Sequence, residues 1–224
     1  AADVNPQVAL DVPNRKVNIT LEVTEGPEVF VERINITGNT RSQEKILRRE
    51  IPMAEGDLFT SQKLLRAKQK LTNLSYFEKV ETKTAPGSSK DKIIVNIEVT
   101  EKPTGLFSIG GGYSSQDGAL GTVDLSQNNF LGRGLQVSIR LRGGASTQSG
   151  TIGITDPWFL DRPLAAGFDL FSNRRVNQDY TQSSTGGDVR FGAPIGDYAR
   201  WNALYRLSLE NVTNVSSNAS SELR

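Results

Sequence analysis

Histidine and cysteine are both missing from this 224-residue sequence. Without histidine there is no Ser-His-Asp catalysis, no imidazole zinc site and no general base of ordinary pKa near neutrality. Without cysteine there are no disulfides and no thiolate metal sites, and the redox compartment cannot be read. Long apolar runs are missing too. Mean hydropathy is −0.39, and no stretch approaches the roughly 18 apolar residues of a membrane helix. That excludes a helical membrane protein but not a barrel, whose strands alternate apolar and polar residues. The formal net charge of +1 offers neither a basic field for nucleic acid nor an acidic tail. An enzyme is therefore not expected, and no catalytic residue, metal ligand or cofactor is assigned. The opening Ala1-Ala2-Asp3 carries no charged-then-apolar signal segment, so an exported protein is expected here in mature or truncated form.

What is present divides into two halves with different periodicity. In the first half, residues 29–36 alternate, with Val29, Val31, Ile34 and Ile36 apolar, and turn at Gly38-Asn39. A helix follows, with Ser42 as candidate N-cap, Lys45 at its third position and Ile46-Leu47 on the buried face; Pro52 ends it. Ser61 is the candidate cap of a second helix, in which Leu64, Leu65, Ala67 and Leu71 fit the helical period. Strands over 77–84 and 93–101 close the unit, joined by the turn Pro86-Gly87-Ser88-Ser89. The order is β-α-α-β-β, long enough for one small core.

The string Ile19-Thr20-Leu21-Glu22-Val23-Thr24-Glu25 also returns as Val95-Asn96-Ile97-Glu98-Val99-Thr100-Glu101, with proline two positions later in both copies, at Pro27 and Pro103. Glu25 and Glu101 are 76 residues apart, the length of the module. Residues 1–26 are therefore expected to hold the C-terminal strand of a preceding copy, and 27–103 a complete one.

After Pro103 the helical period vanishes, and about seven period-two segments follow over 104–224. In 135–142 one face is aliphatic and the other holds Gln136, Ser138, Arg140 and Arg142. Residues 201–210 set Trp201, Ala203, Tyr205, Leu207 and Leu209 against Asn202, Arg206, Ser208 and Glu210. Segments 164–170 and 187–193 carry Asp169, Asp188 and Arg190 on their polar faces. Such alternation suits any antiparallel sheet with one wet face, a soluble sandwich included. Segments of about 9–11 residues, with Tyr113, Phe130, Trp158-Phe159 and Trp201 near their ends, favour a barrel crossing a bilayer, with aromatic girdles at its interfaces. Arg140, Arg142 and Arg190 then face a wet lumen. Asn128-Asn129 and Asp156-Pro157 read as turns.

The strings Ile34-Asn35-Ile36-Thr37-Gly38-Asn39-Thr40, Leu47-Arg48-Arg49-Glu50, Glu55-Gly56 and Leu74-Ser75-Tyr76-Phe77-Glu78-Lys79-Val80 resemble periplasmic POTRA domains of the outer-membrane assembly factor (BamA) family. Asn128-Asn129-Phe130-Leu131-Gly132-Arg133-Gly134 and Thr155-Asp156-Pro157-Trp158-Phe159 resemble that family's early barrel. The resemblance implies an α+β POTRA domain (β-α-α-β-β) followed by about seven strands of a probable sixteen-stranded antiparallel transmembrane barrel. It places the barrel in the outer membrane of a Gram-negative bacterium and the POTRA domains in the periplasm.

It also implies a function: assembly and insertion of β-barrel proteins, with unfolded outer-membrane proteins, periplasmic accessory lipoproteins and outer-membrane lipid as partners, and no nucleic acid. The first barrel strand, 105–114, is the implied seam. Its residues Gly105, Leu106, Phe107, Ser108, Ile109, Gly110, Gly111, Gly112 and Tyr113 are the candidate templating strand, because consecutive glycines pair weakly and an edge strand can accept a client by strand addition. The alternative is that the glycines only let the sheet bend. The edge strand 29–36 is expected to pair with clients in the same way. Glu55, in the loop 52–56, matches the acidic position of the family's contact with an accessory lipoprotein; the plainer reading is a solvated surface carboxylate. Two rivals share the architecture, a two-partner secretion transporter and a TamA-like assembly paralogue. Residues 104–224 made alone are expected to stay folded only in detergent; a folded, detergent-free monomer by circular dichroism and gel filtration overturns the membrane reading.

Overall fold

A computed structural model describes residues 2–11, 16–25, 27–115, 118–196 and 198–216. The chain divides into two compact units, Ala1–Lys102 and Pro103–Arg224. Three points of the sequence reading, Ala1, Gly26 and the terminus at Arg224, lie outside the described residues.

The first unit opens with a hairpin of β1 (Ala2–Asp11) and β2 (Lys16–Glu25), paired antiparallel from Ala2↔Glu25 to Asp11↔Lys16. One strand was expected in this stretch, and there are two. Pro6 lies inside β1, which its place in a two-stranded sheet permits, since proline cannot donate to a ladder and is confined to edges.

The module itself comprises β3 (Phe30–Thr37), α1 (Glu44–Arg48), α2 (Ser61–Asn73), β4 (Phe77–Pro86) and β5 (Lys92–Glu101). The strands form a sheet in the order β3-β5-β4, with β3 parallel and β4 antiparallel to β5. Burial on the sheet comes from alternate positions such as Val95, Ile97 and Val99, which meet Ile46 and Leu47 of α1 and Ala67 and Leu71 of α2 in one apolar core. β2 and β5, the strands that carry the repeated string, have the same length, and each pairs antiparallel with the strand before it.

Both expected helix caps move by one residue. Thr60, not Ser61, caps α2: its hydroxyl accepts from the N–H of Lys63 at 3.2 Å. Leu65 is 57% exposed and leaves the core to its helical neighbours. Gln43, not Ser42, stands at the start of α1, with no side-chain cap bond. Ser42 is buried and held from across the sheet. The Glu101 carboxylate at the end of β5 accepts from the N–H groups of Ser42 (2.7 Å) and Arg41 (2.8 Å) and from the Thr40 hydroxyl (3.0 Å). Partial burial raises the Glu101 pKa, but the bonds from Ser42, Arg41 and Thr40 outweigh it and hold the carboxyl below its ordinary value.

The second unit is a meander of seven antiparallel strands: β6 (Gly105–Ser114), β7 (Gly118–Phe130), β8 (Leu135–Gly144), β9 (Thr147–Asp156), β10 (Ala165–Val176), β11 (Thr181–Ile195) and β12 (Ala199–Thr213). Three have ten residues and two have 15, so several outrun the span that a tilted strand needs. Register assigns each side chain to a face. Phe107, Leu125, Ile139, Ile152 and Leu170 form one continuous row. Val137, Ile154, Phe168, Val189 and Tyr205 form the next. The opposite face carries the row Ser126, Ser138, Gly153, Asp169, Asp188 and Arg206. One face is apolar and the other polar, the two-sidedness that a barrel strand between lipid and a wet lumen requires.

The bonds to Glu101 require its ionised form. The stability they add is complete above the ordinary carboxylate range and is lost as pH falls through the depressed pKa of the folded state. Glu101→Gln is expected to cost residues 27–102 about 1–2 kcal/mol near neutral pH. It should also reduce the fall in urea midpoint between about pH 6 and about pH 3; an unchanged profile overturns this role.

Candidate functional site

The expected seam strand is β6, an edge of the seven-stranded sheet that among the described residues pairs only with β7. Its side chains alternate. Gly105, Phe107, Ile109, Gly111 and Tyr113 share the apolar face with Leu125 and Val123, while Leu106, Ser108, Gly110 and Gly112 share the polar face with Asp124 and Ser126. Leu106, Phe107, Ile109 and Tyr113 are all well exposed.

The glycines can be asked whether space demands them. A Cβ on Gly110 would lie 2.8 Å from the Thr122 hydroxyl. On Gly111 it would meet only the Leu120 carbonyl at 3.6 Å, and on Gly112 nothing within 4 Å. Nor does the strand bulge, since pairing with β7 runs unbroken through all ten residues from Gly105↔Gln127 to Ser114↔Gly118. Gly111 and Gly112 therefore serve neither close packing nor a register shift. Their direct effects are little side-chain cohesion, a high entropic cost of ordering and freedom for the strand to bend.

The polar face holds a charge network that register alone positions. Asp169 and Asp188 stand directly opposite each other, as do Asp188 and Arg206, and Asp124 and Arg140. Arg206 forks onto Asp188 Oδ2 through Nε (3.2 Å) and Nη2 (2.8 Å). Arg190 Nε is 2.9 Å from Asp169 Oδ2, and Arg140 Nε is 2.7 Å from Asp124 Oδ1. Asp188 is only 3% exposed. Gly153 is required opposite Asp169, whose carboxylate occupies the space a Cβ would take. The Arg206 fork escaped the sequence reading, which saw both residues on polar faces but not their registry.

The turns behave as their composition indicates. Asn129 takes a positive φ of 61° and its Oδ1 accepts from the N–H of Gly134 at 2.8 Å. Asp156 Oδ1 accepts from the N–H of Trp158 at 2.9 Å.

In the first unit, the β3 edge is not open to a client along its length. The Val31 N–H donates to the Asp57 carbonyl (2.9 Å), the Val31 carbonyl accepts from Gly56 (2.7 Å), and the Val29 carbonyl accepts from Phe59 (2.8 Å). Glu55 completes the closure: its Oε1 accepts from the Ile34 N–H at 3.2 Å, while Arg48 Nη2 donates to the Ile34 carbonyl at 3.1 Å and Arg48 Nη1 lies 3.6 Å from Glu55 Oε1. The outward-facing backbone groups of Val31 and Ile34 are thus taken by the chain's own loop 54–59 and by Arg48. Among the described residues no such cover lies over β4, the other edge, whose Lys79, Glu81 and Lys83 interact along the strand. The Glu55 side chain stays 48% exposed, so it can meet a partner while it closes the edge. Glu55→Ala should speed amide exchange at Ile34 severalfold relative to Val31; equal rates in mutant and parent remove the plug.

Comparison with known proteins returns the same two parts. Residues 29–102 match POTRA, the surface antigen variable number repeat, and residues 129–224 match the Omp85 superfamily domain. The outer membrane protein assembly factor BamA of Nitratidesulfovibrio vulgaris is 26% identical over 97% of this chain and 28% of its own length. That of Neisseria meningitidis serogroup B is 26% identical over 95% of this chain and 27% of its own. A putative outer membrane protein assembly factor of Treponema pallidum is 30% identical over 75% of the chain and 20% of its own length. The chain thus spans between a fifth and little more than a quarter of the length of these relatives. Among solved structures, Haemophilus ducreyi BamA lacking POTRA domains 1–3 superposes with a TM-score of 0.79 at 22% identity, covering 96% of this chain and 42% of that one. CdiB from Acinetobacter baumannii gives 0.60 at 14%, covering 97% and 43%. Both show the shared fold.

Proposed function

We propose that this chain, which belongs to the Omp85 superfamily and joins a POTRA domain to the opening strands of its barrel, is the part of an outer-membrane protein assembly factor where a client strand first meets the barrel. The barrel strands lie in the outer membrane and the POTRA domain in the periplasm. The observation that carries the reading is sequence similarity to assembly factors over nearly the whole chain. The two-partner secretion alternative rests on the likeness to CdiB, which is one of fold alone. The β1–β2 hairpin, with the repeated string in the same place as in β5, supports a preceding POTRA copy.

The proposed action is non-covalent. An unfolded strand cannot enter hydrocarbon with its N–H and C=O groups unpaired. An edge that offers matching groups removes that cost by strand addition. β6 suits the task because two of its glycines answer no local steric demand, so its present partner is held by backbone bonds with little side-chain reinforcement. In the POTRA sheet, a client strand adds more readily at β4 than at the covered β3.

Two experiments test the mechanism. Gly111→Val with Gly112→Val fills open space and raises strand propensity by up to about 1 kcal/mol per site. The full-length protein should still fold, shown by its heat-modifiable gel shift, yet insert clients several times more slowly; parental insertion rates sink the templating role. Cysteines at Leu106, Ile109 and Tyr113 should crosslink to a stalled client, and uniform failure counts equally against it.

For Glu55, the proposed partner is a periplasmic accessory lipoprotein. Glu55→Gln keeps an oxygen for the Ile34 N–H and removes only the charge. Reduced lipoprotein co-purification with Glu55→Gln places the carboxylate in the interface, and unchanged recovery with both Glu55→Gln and Glu55→Lys takes it out.

A further inference from the structure

The arginines of the polar face are not alike. Arg140, Arg190 and Arg206 each have an aspartate partner. Arg142 and Arg175 form no ion pair among the described residues, and they border the same recess of about 370 Å³. Two adjacent rows of the register build it: Arg142, Ser149, Asn173 and Ser184 across β8 to β11, and Thr147, Arg175 and Gln182 across β9 to β11. Ser149 and Thr147 on β9 form a short, polar floor between longer cationic side chains on the flanking strands. Arg174 completes the lining, although its register position is on the apolar face. Glu210, opposite Ser184 on the polar face, makes no ion pair among the described residues.

Two guanidiniums bordering a recess lined by hydroxyl and amide groups are suited to a forked oxyanion, which each can grip with paired N–H donors. We propose that this recess binds a carboxylate side chain of a polypeptide segment entering the barrel lumen, at the end of the sheet away from Gly105. Lipid headgroups are the poorer occupant because seven of the eight lining residues stand on the face opposite the apolar rows. Asn173 and Gln182 both donate and accept, so they can also engage the backbone on either side of the acid. The proposal rests on the polar face being the lumen and is independent of the assembly function.

The test uses the full-length protein in detergent micelles and a fluorescent tetraglutamate peptide, with tetraglutamine and inorganic phosphate as comparisons. The parent should bind the glutamate peptide, more weakly as salt rises, and the glutamine peptide at least roughly tenfold more weakly. Arg142→Gln with Arg175→Gln should weaken glutamate binding by roughly tenfold or more, and Arg174→Gln by clearly less, since its register position is on the other face. Should that double variant fail the heat-modifiability check for folding, Arg142→Lys with Arg175→Lys decides, with an expected loss of roughly threefold or more from the missing fork. Equal binding by the parent and the folded double variant overturns the site. A loss from Arg174→Gln as large as that of the double variant moves the anion to the lipid face and overturns it too, as does binding of inorganic phosphate without the glutamate peptide.

Discussion

Every part of this chain is organised by one constraint, that a backbone N–H or C=O in a dry place must have a partner. In the seven-stranded sheet the constraint is met between neighbours, and strand order equals chain order, so each strand is satisfied by the one before it and the one after. What the constraint leaves over is the edge. At β6 the leftover groups are flanked by Gly110, Gly111 and Gly112, and at β3 they are consumed by loop 54–59, Glu55 and Arg48. Among the described residues the same physics leaves β6 and β4 as uncovered edges and gives β3 a partner from its own unit.

Closure of β3 changes the meaning of Glu55. A half-exposed carboxylate in a loop looks like solvated surface, or like a charge offered to a partner. Here it holds a peptide N–H and faces Arg48, the side chain that holds the neighbouring carbonyl. Any partner at this loop meets a carboxylate already fixed in position, which lowers the side-chain entropy lost on contact.

Much of the architecture was legible beforehand, for identifiable reasons. Residues 105–114 could be bounded because Pro103 precedes them, glycines mark them and period-two alternation runs through them. The module order followed from the change between periods of 3.6 and two. Local chemistry ranked Ser42 and Ser61 as caps over neighbours of equal or lesser promise, and both choices failed. Thr60 took the second because one residue of phase decides which hydroxyl reaches Lys63. Ser42 was lost to Glu101, 59 residues distant, a contact that no local rule contains. β1 was missed because the repeated string covers only β2, and its pairing in a two-stranded sheet shows why Pro6 is tolerated there.

The sequence by itself determined the two periodicities, the boundary at Pro103, the sidedness of the barrel strands and the turns at Asn129 and Asp156, because each depends on residues within a few positions of one another. Tertiary structure alone decided which charges pair and which stay free. Arg140, Arg142, Arg190 and Arg206 are indistinguishable as polar-face arginines until the register sets an aspartate beside three of them and a serine beside the fourth. It also decided that β3 is covered and that Gly111 and Gly112 face open space, since both depend on what a distant segment puts beside the strand.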